Sequence, residues 1–254
     1  MVDMLINPFR SSEGGLGLAS IAAFALLSAC TPANSGSGLN DPYEKQNRTV
    51  HRFNLAFDST LFGNRTQKGI IPTIPKPITI GFSNFASNLA MPSTILNDLL
   101  QLKLAPAGQN TLRFALNTTV GIGGLFDPAG VLGIDAKKTD FGETLYVWGV
   151  PEGAYLEIPL LGPSTERDWA GTLVDVAINP VNTVLKAPDR AYATGAILTA
   201  KAGNRQRFAD TYESILYDSA DSYAQSRLIY LQNRHYSLGV ADDSPDPTED
   251  PYAQ

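Results

Sequence analysis

Cys30 is the one cysteine in 254 residues, and it closes an uncharged, mostly apolar run from Leu16 to Ala29. The run holds fourteen residues, short of the roughly 20 needed for a bilayer-spanning helix and within the length of a signal-peptide core. It reads as a targeting segment. From Thr31 to Asn40 the composition turns at once to polar residues rich in Gly and Ser, the signature of a flexible linker. A single thiol permits no intramolecular disulfide and no multi-thiolate metal site, so the chain must hold its fold by packing.

Leu27-Ser28-Ala29-Cys30 resembles the lipobox, where bacterial signal peptidase cuts and leaves a cysteine to be acylated. The mature chain would then begin at Cys30 and hang from a membrane. Acyl burial is worth about 0.8 kcal/mol per methylene, and stable anchoring needs at least two chains. Residue two of that form is Thr31; an Asp there resembles an inner-membrane retention signal in enteric bacteria, so outer membrane is the expectation. The stretch before the run carries Asp3, Arg10 and Glu13 and is not clearly basic. The expected organisation is a signal peptide over 1–29, a tether over 30–40, a helical domain over 41–239 and a disordered acidic tail over 240–254.

About 225 residues remain after Ala29, enough for one large domain. Net charge is −6 with no basic block, which excludes nucleic acid as a partner. The sequence predicts a mainly α fold. Asp41 stands as N-cap to a helix over Pro42–Phe57, with Pro42 at the first helical position and Glu44 in the capping-box place. Pro72, Pro75 and Pro77 predict an extended stretch over Gly63–Pro77. Two amphipathic stripes follow, Phe82, Phe85, Ala86 and Leu89, then Ile95, Leu96, Leu99, Leu100 and Leu102, divided at Met91-Pro92. They are core-facing helices or, in a membrane-tethered chain, helices in the interfacial plane; Phe82, Phe85, Leu89, Ile95, Leu96 and Leu99 are the candidate membrane-interface residues.

Leu112–Val120 predicts a helix running into Gly121-Ile122-Gly123-Gly124-Leu125-Phe126-Asp127. These glycines match neither a dinucleotide nor a P-loop pattern, and read as close packing or a hinge. Tyr146–Val150 and Ala154–Leu160 predict a short β-hairpin, the only β structure expected. Ser164 or Thr165 caps the next helix, which runs to Pro180, and helices fill 190–200, 204–217 and 219–235.

Catalytic motifs are missing. His51 and His235 have no neighbouring nucleophile, and there is no GxSxG elbow, HExxH or His/Cys ligand spacing. His51 beside Arg52 reads as a solvated helix residue. Asp98 or Asp140 with Glu143 could in principle do acid/base work, but surface carboxylates far outnumber catalytic ones. Neither an enzyme activity nor a cofactor is expected.

Asp41-Pro42-Tyr43-Glu44 with Asn47-Arg48, Phe53-Asn54, Ser83-Asn84-Phe85, Leu116-Asn117-Thr118-Thr119 into the glycine run, Asp140–Leu145, Trp148-Gly149 and Leu160–Asp168 together resemble the MlaA (VacJ) family of outer-membrane lipoproteins. The resemblance is dense from Asp41 to Asp175 and thins to Arg227, Tyr230 and Gln232. It implies a ring-like helical protein with membrane-embedded amphipathic helices, in the inner leaflet of the outer membrane and periplasm-facing, with an amphipathic channel. It further implies removal of mislocalised phospholipid from the outer leaflet, handover to a soluble periplasmic carrier similar to MlaC, and association with trimeric porins. On that footing Asn117, Thr118 and Thr119 are candidates to line the channel, and Gly121, Gly123 and Gly124 to let the adjoining turn flex as a gate. A structural lipoprotein that scaffolds porins without moving lipid is the alternative; a lipid hydrolase would need a nucleophile that the sequence does not offer.

Overall fold

A computed structural model describes residues 39–179, 186 and 188–240. Cys30, the apolar run, most of the tether and the tail beyond Val240 lie outside the described residues. Within them the chain is mainly helical, as the sequence predicts, and the departures each have a local cause.

Helix α1 spans Glu44–Phe62. Tyr43 occupies its cap position and makes no side-chain cap bond, so Asp41 is not the N-cap expected of it. Its carboxylate is taken instead by Asn47 Nδ2 at 2.9 Å and by Tyr223 and Arg227 far along the chain. A distant cation outcompetes the local backbone donors. After α1, strands β1 (Gly63–Asn64) and β2 (Gln67–Lys68) pair antiparallel. Asn64 Oδ1 holds the turn by accepting from the N–H groups of Thr66 and Gln67 at 3.0 and 2.9 Å. This small hairpin corrects the expectation of an uninterrupted extended stretch and of a single β-hairpin.

Helix α2 runs unbroken over Lys76–Leu100, 25 residues, so Met91-Pro92 does not divide it. Pro92 removes one backbone donor, but Asn88, Met91, Ser93 and Asn97 are buried on both sides of it, and that packing carries the helix through. Helix α3 covers Leu104–Thr119 and helix α4 Pro128–Val131, where the Asp127 side chain caps by accepting from Gly130 N. Helix α5 covers Phe141–Val147, capped by Asp140, which accepts from Glu143 N at 2.8 Å.

Tyr146 and Val147 are therefore helical and not the first strand of a hairpin. The hairpin lies one step later, with β3 (Tyr155–Ile158) paired antiparallel to β4 (Gly162–Thr165) from Tyr155↔Thr165 to Ile158↔Gly162. The cap at Asp140 and the approach of α5 to the following helix override the strand propensity of Tyr-Val-Trp. That helix, α6, spans Glu166–Ile178 and is capped, as expected, by Thr165 Oγ1 accepting from Asp168 N at 3.3 Å. Gly142 of α5 and Gly171 of α6 meet backbone to backbone, and a Cβ on Gly171 would press into Gly142. Helices α7 (Asp189–Arg207), α8 (Ala209–Leu216) and α9 (Ser222–Leu238) complete the chain.

The elements touch in a closed circuit. Helix α2 packs along α3 and α7 and against α5, α5 against α6, α6 on β4, β4 on β3 and α9, β3 on α1, α9 on α8, and α8 back on α7. Arg48 of α1 reaches Asp221, at the cap of α9, with two hydrogen bonds of 3.0 and 2.8 Å. The interior of this circuit is not an ordinary oily core. Among the described residues nineteen polar or charged residues are buried against eleven apolar ones, and six of those eleven are alanines. Large apolar side chains stand outside, with Leu102 83% and Val131 89% exposed. In water such a distribution is unfavourable; against hydrocarbon it is the favourable one.

Candidate functional site

The inward face of α9 sets the site. Tyr223, Arg227, Tyr230 and Arg234 recur at intervals of four, three and four, which stacks them on one side of a helix. Arg227 meets Asp41, and Tyr230 donates to Asp168 Oδ2 at 2.6 Å. Arg234 donates twice to Asp140 and once to Asp168 Oδ1, all at 2.8 Å. Burial pushes the Asp140 carboxyl up, and the hydrogen bonds and charge of Arg234 outweigh it, leaving Asp140 below its usual range. Burial and the Asp168 charge push the Tyr230 phenol well above its usual value, so it stays a donor.

Tyr155 of β3 packs edge-on to Tyr223 and Tyr230, with centroids 5.9 and 6.4 Å away, and donates to Glu157 Oε2 at 2.6 Å. His51 belongs to the same cluster. It is buried, with Nδ1 3.2 Å from Glu157 Oε1 and Nε2 3.0 Å from Ser222 Oγ, which corrects its reading as a solvated helix residue. Its neighbours in sequence are exposed, and only the fold of β3 against α1 shows that position 51 faces inward.

Beside this network a cavity of about 650 Å³ opens between α8, α9 and β4. Phe208, Tyr212, Ile215, Leu216 and Ile229 give it apolar walls. Arg234 Nε and Ser226 Oγ line it as well, both buried and without a hydrogen-bond partner in the protein. A second cavity of about 310 Å³ shares Pro163, Tyr212, Leu216 and Ser226 with it and extends to Phe57 and Glu157 of α1 and β3. Apolar walls with a few polar groups at one end suit an amphiphile.

The glycine turn and its helix are elsewhere, on α2. Asn117 is buried and committed to the turn, donating to Asp127 Oδ1 at 2.9 Å and accepting from Ala129 N at 3.1 Å. Arg113 Nη2 donates to both oxygens of the same carboxylate, at 2.9 and 3.1 Å. Thr118, on the exposed side, accepts from Asn88 Nδ2 at 2.9 Å, and Thr119 donates back to Ala115 O. Gly124, at φ +95°, lies against the Asn88 side chain, whereas Gly123, at φ +69°, faces open space; a Cβ on Gly121 would strike the backbone of Asn117 and Phe126. Of the interface candidates, Phe82, Phe85, Leu89, Ile95 and Leu96 are half-buried and Leu99 is exposed.

The carboxylates weighed for acid/base work have other partners. Glu143 pairs with Lys103 at 2.6 Å, Asp98 accepts from Asn110 at 2.8 Å and Asp140 takes Arg234. Sequence reasoning missed the α8–α9 cavity, although the Tyr/Arg row on α9 was a readable signal that this helix turns charge inward.

A model of the MlaA lipoprotein family matches residues 39–237. The chain is 31% identical over 235 residues to the intermembrane phospholipid transport system lipoprotein MlaA of Escherichia coli K12, covering 90% of each. It is 30% identical over 229 residues to the protein of that name in Haemophilus influenzae, covering 87% of this chain and 89% of that one, and 30% identical over 224 residues to an uncharacterised Rickettsia bellii protein. A solved structure described as the structural basis for maintenance of bacterial outer membrane lipid asymmetry matches with a TM-score of 0.61 at 26% identity, over 78% of this chain and 98% of that one.

Proposed function

The chain belongs to the MlaA lipoprotein family, and from that premise we propose that it carries mislocalised phospholipid out of the outer leaflet of the outer membrane toward a soluble periplasmic carrier, so maintaining lipid asymmetry. It is an envelope lipoprotein of the phospholipid-transport type, associated with lipid and membrane. Cys30 is its acylation site, the inner leaflet its place, and trimeric porins its neighbours in the membrane.

The observation that carries this reading is the reversal of ordinary burial, polar inside and apolar outside. Exposing two acyl tails to water at about 0.8 kcal/mol per methylene costs on the order of 20 kcal/mol, so a lipid needs a sheltered path. No helix among the described residues is long and apolar enough to cross a membrane. In this reading the domain sits in one leaflet, as a ring whose apolar outer surface meets acyl chains. The closed circuit of elements supports that ring. The α8–α9 cavity and its smaller neighbour supply the amphipathic lining, with Arg234 and Ser226 placed for polar groups and Phe208, Ile215 and Ile229 for tails. No step in this work makes or breaks a covalent bond.

Phe82, Phe85, Leu89, Ile95, Leu96 and Leu99 face the acyl chains, and Thr118 and Thr119, exposed at the end of α3, stand at the polar boundary of the path, while the buried Asn117 holds the turn beside them. Gly123 is the flexible point of the gate, because Gly121 and Gly124 are fixed by close packing and Gly123 is not. The test is transfer of a labelled phospholipid from vesicles holding the acylated protein to the carrier. Transfer that depends on the protein is expected; the same vesicles with porin assembly intact and no lipid moved would favour the scaffold. Gly123→Val should slow transfer while leaving the protein folded in detergent, with a lowered melting temperature because φ +69° strains a β-branched residue.

A further inference from the structure

A third cavity, of about 320 Å³, lies on the other side of the last turns of α9, lined by Tyr146, Pro151, Glu152, Arg167, His235 and Leu238 among others. Arg167 is 3% exposed, yet its Nε and Nη2 have no hydrogen-bond partner. Its guanidinium stacks over the Tyr146 ring at 5.3 Å. Asp168 Oδ1 lies 3.5 Å from Nε as an ion-pair contact, but that carboxylate is already claimed by Arg234 and Tyr230. A buried guanidinium with idle donors is costly unless something answers them.

The opposite charge in this cavity is only half answered. Glu152 Oε1 is buried without a partner, while its Oε2 stands 3.2 Å from His235 Nε2. The two residues are fixed relative to one another, because Arg167 N donates to the Glu152 carbonyl at 3.2 Å. A lone cation seeks an anion and a lone carboxylate seeks a cation; the two together in one small cavity match a zwitterion. Glu152 in its lining would repel a headgroup that carries only negative charge. Leu238, Val150 and Val240 supply apolar wall beside the charged pair.

We propose that this cavity is a headgroup site for phosphoethanolamine, with Arg167 donating to the phosphate and Glu152 accepting from the ammonium. The proposal rests on the lipid-transport reading and adds headgroup selectivity to it. It is tested on the full-length acylated protein in detergent, titrated with dihexanoyl phosphatidylethanolamine and dihexanoyl phosphatidylglycerol. The native protein is expected to bind the ethanolamine lipid about tenfold more tightly, the value of one charge-assisted hydrogen bond. Glu152→Gln, at a half-buried position, should bring the ratio close to one, and an unchanged melting temperature shows that the fold is kept. Arg167→Lys should weaken both lipids.

Equal affinity of the native protein for the two lipids, or a ratio untouched by Glu152→Gln, overturns the proposal. Glycerophosphoethanolamine should compete only weakly because it lacks tails; competition equal to the lipid's overturns the assignment to a membrane lipid in favour of a soluble ester. Vesicle-to-carrier transfer is scored separately. Its absence would defeat the transport reading and leave the measured ratio of headgroups as a distinct result.

Discussion

The α2–α3 half of the molecule and the clasp between α1, β3 and α9 both bury polar groups, yet they do so in opposite ways. Around α2 and α3 the buried groups are mostly neutral amides and hydroxyls. Asn97, fully buried, donates to Asp175 Oδ1 at 2.7 Å and accepts from Thr144 Oγ1 at 2.9 Å. Asn110, also fully buried, joins Asp98 Oδ2 to the Lys137 carbonyl. Outside this amide lattice stand Leu102, Leu104, Leu112, Val120, Ile122 and Phe126. In the clasp the buried groups are charges and tyrosines, such as Asp41 with Arg227 and Tyr155 with Glu157, and Arg234 carries the pattern on to Asp168 and the half-exposed Asp140. One half turns apolar side chains outward over a nearly neutral interior; the other ties the first and last described elements together with charge.

If that contrast holds, the largest stability loss should come from the clasp. Arg227→Ala leaves the buried Asp41 carboxylate without its cation and should cost about 3–5 kcal/mol in a urea titration. Asn97→Ala breaks the amide lattice, removes the nearer acceptor of the Thr144 hydroxyl and a donor to Asp175, and should cost about 1–3 kcal/mol. An Asn97 variant more damaging than the Arg227 variant would reverse the ranking of the two halves.

Acid sharpens the comparison. Asp140 is held low because the hydrogen bonds and charge of Arg234 outweigh the upward push of burial, so it contributes stability above its unfolded pKa and loses it as pH falls through the lower folded value. Asp98 is raised, mainly by burial and against the help of Asn110; its folded form binds protons more readily, and it gains stability as pH drops toward its unfolded value. Stability should therefore fall below about pH 4 in the native protein. Asp98→Asn should be neutral or stabilising at pH 7, by up to about 1 kcal/mol, with the gain shrinking as the pH falls. Thermal melts across pH 3 to 7, a range set by ordinary carboxylate values, check both signs.

The smallest effect on stability belongs to the outer surface. Leu102→Ser with Val131→Ser should change the detergent-solubilised fold by no more than about 0.5 kcal/mol, while weakening co-sedimentation with vesicles. A stability loss like that of a core mutation would mean these side chains pack against protein and not lipid.

Much of the helical framework was legible because it rests on local signals. Thr165 caps α6 where a hydroxyl precedes two acids, and the helical stretches expected over 190–200, 204–217 and 219–235 fall on α7, α8 and α9, although α7 runs through the break expected after 200 and ends at Arg207. Where a distant partner decided the outcome, the local signal misled. Asp41 had the form of an N-cap and became the anion of a long-range pair; Tyr146 and Val147 had strand propensity and became the end of a helix braced by Gly142 on Gly171. Hydrophobic periodicity located the α2 stripes but not their environment, since Leu99 faces out while Asn97 and Asp98 face in. The site was less legible still. Arg167 and Glu152 are fifteen positions apart and unremarkable in sequence, and only the return of β4 to β3 sets them at one cavity.

The Asp41 clasp also decides how the domain responds to load. Tyr155 N donates to the Asn40 carbonyl at 2.8 Å, and Asp41 is gripped one residue later by Arg227 and Tyr223. Tension arriving along the N-terminal strap is therefore carried in shear by a strand and the final helix at once, and does not peel α1 turn by turn.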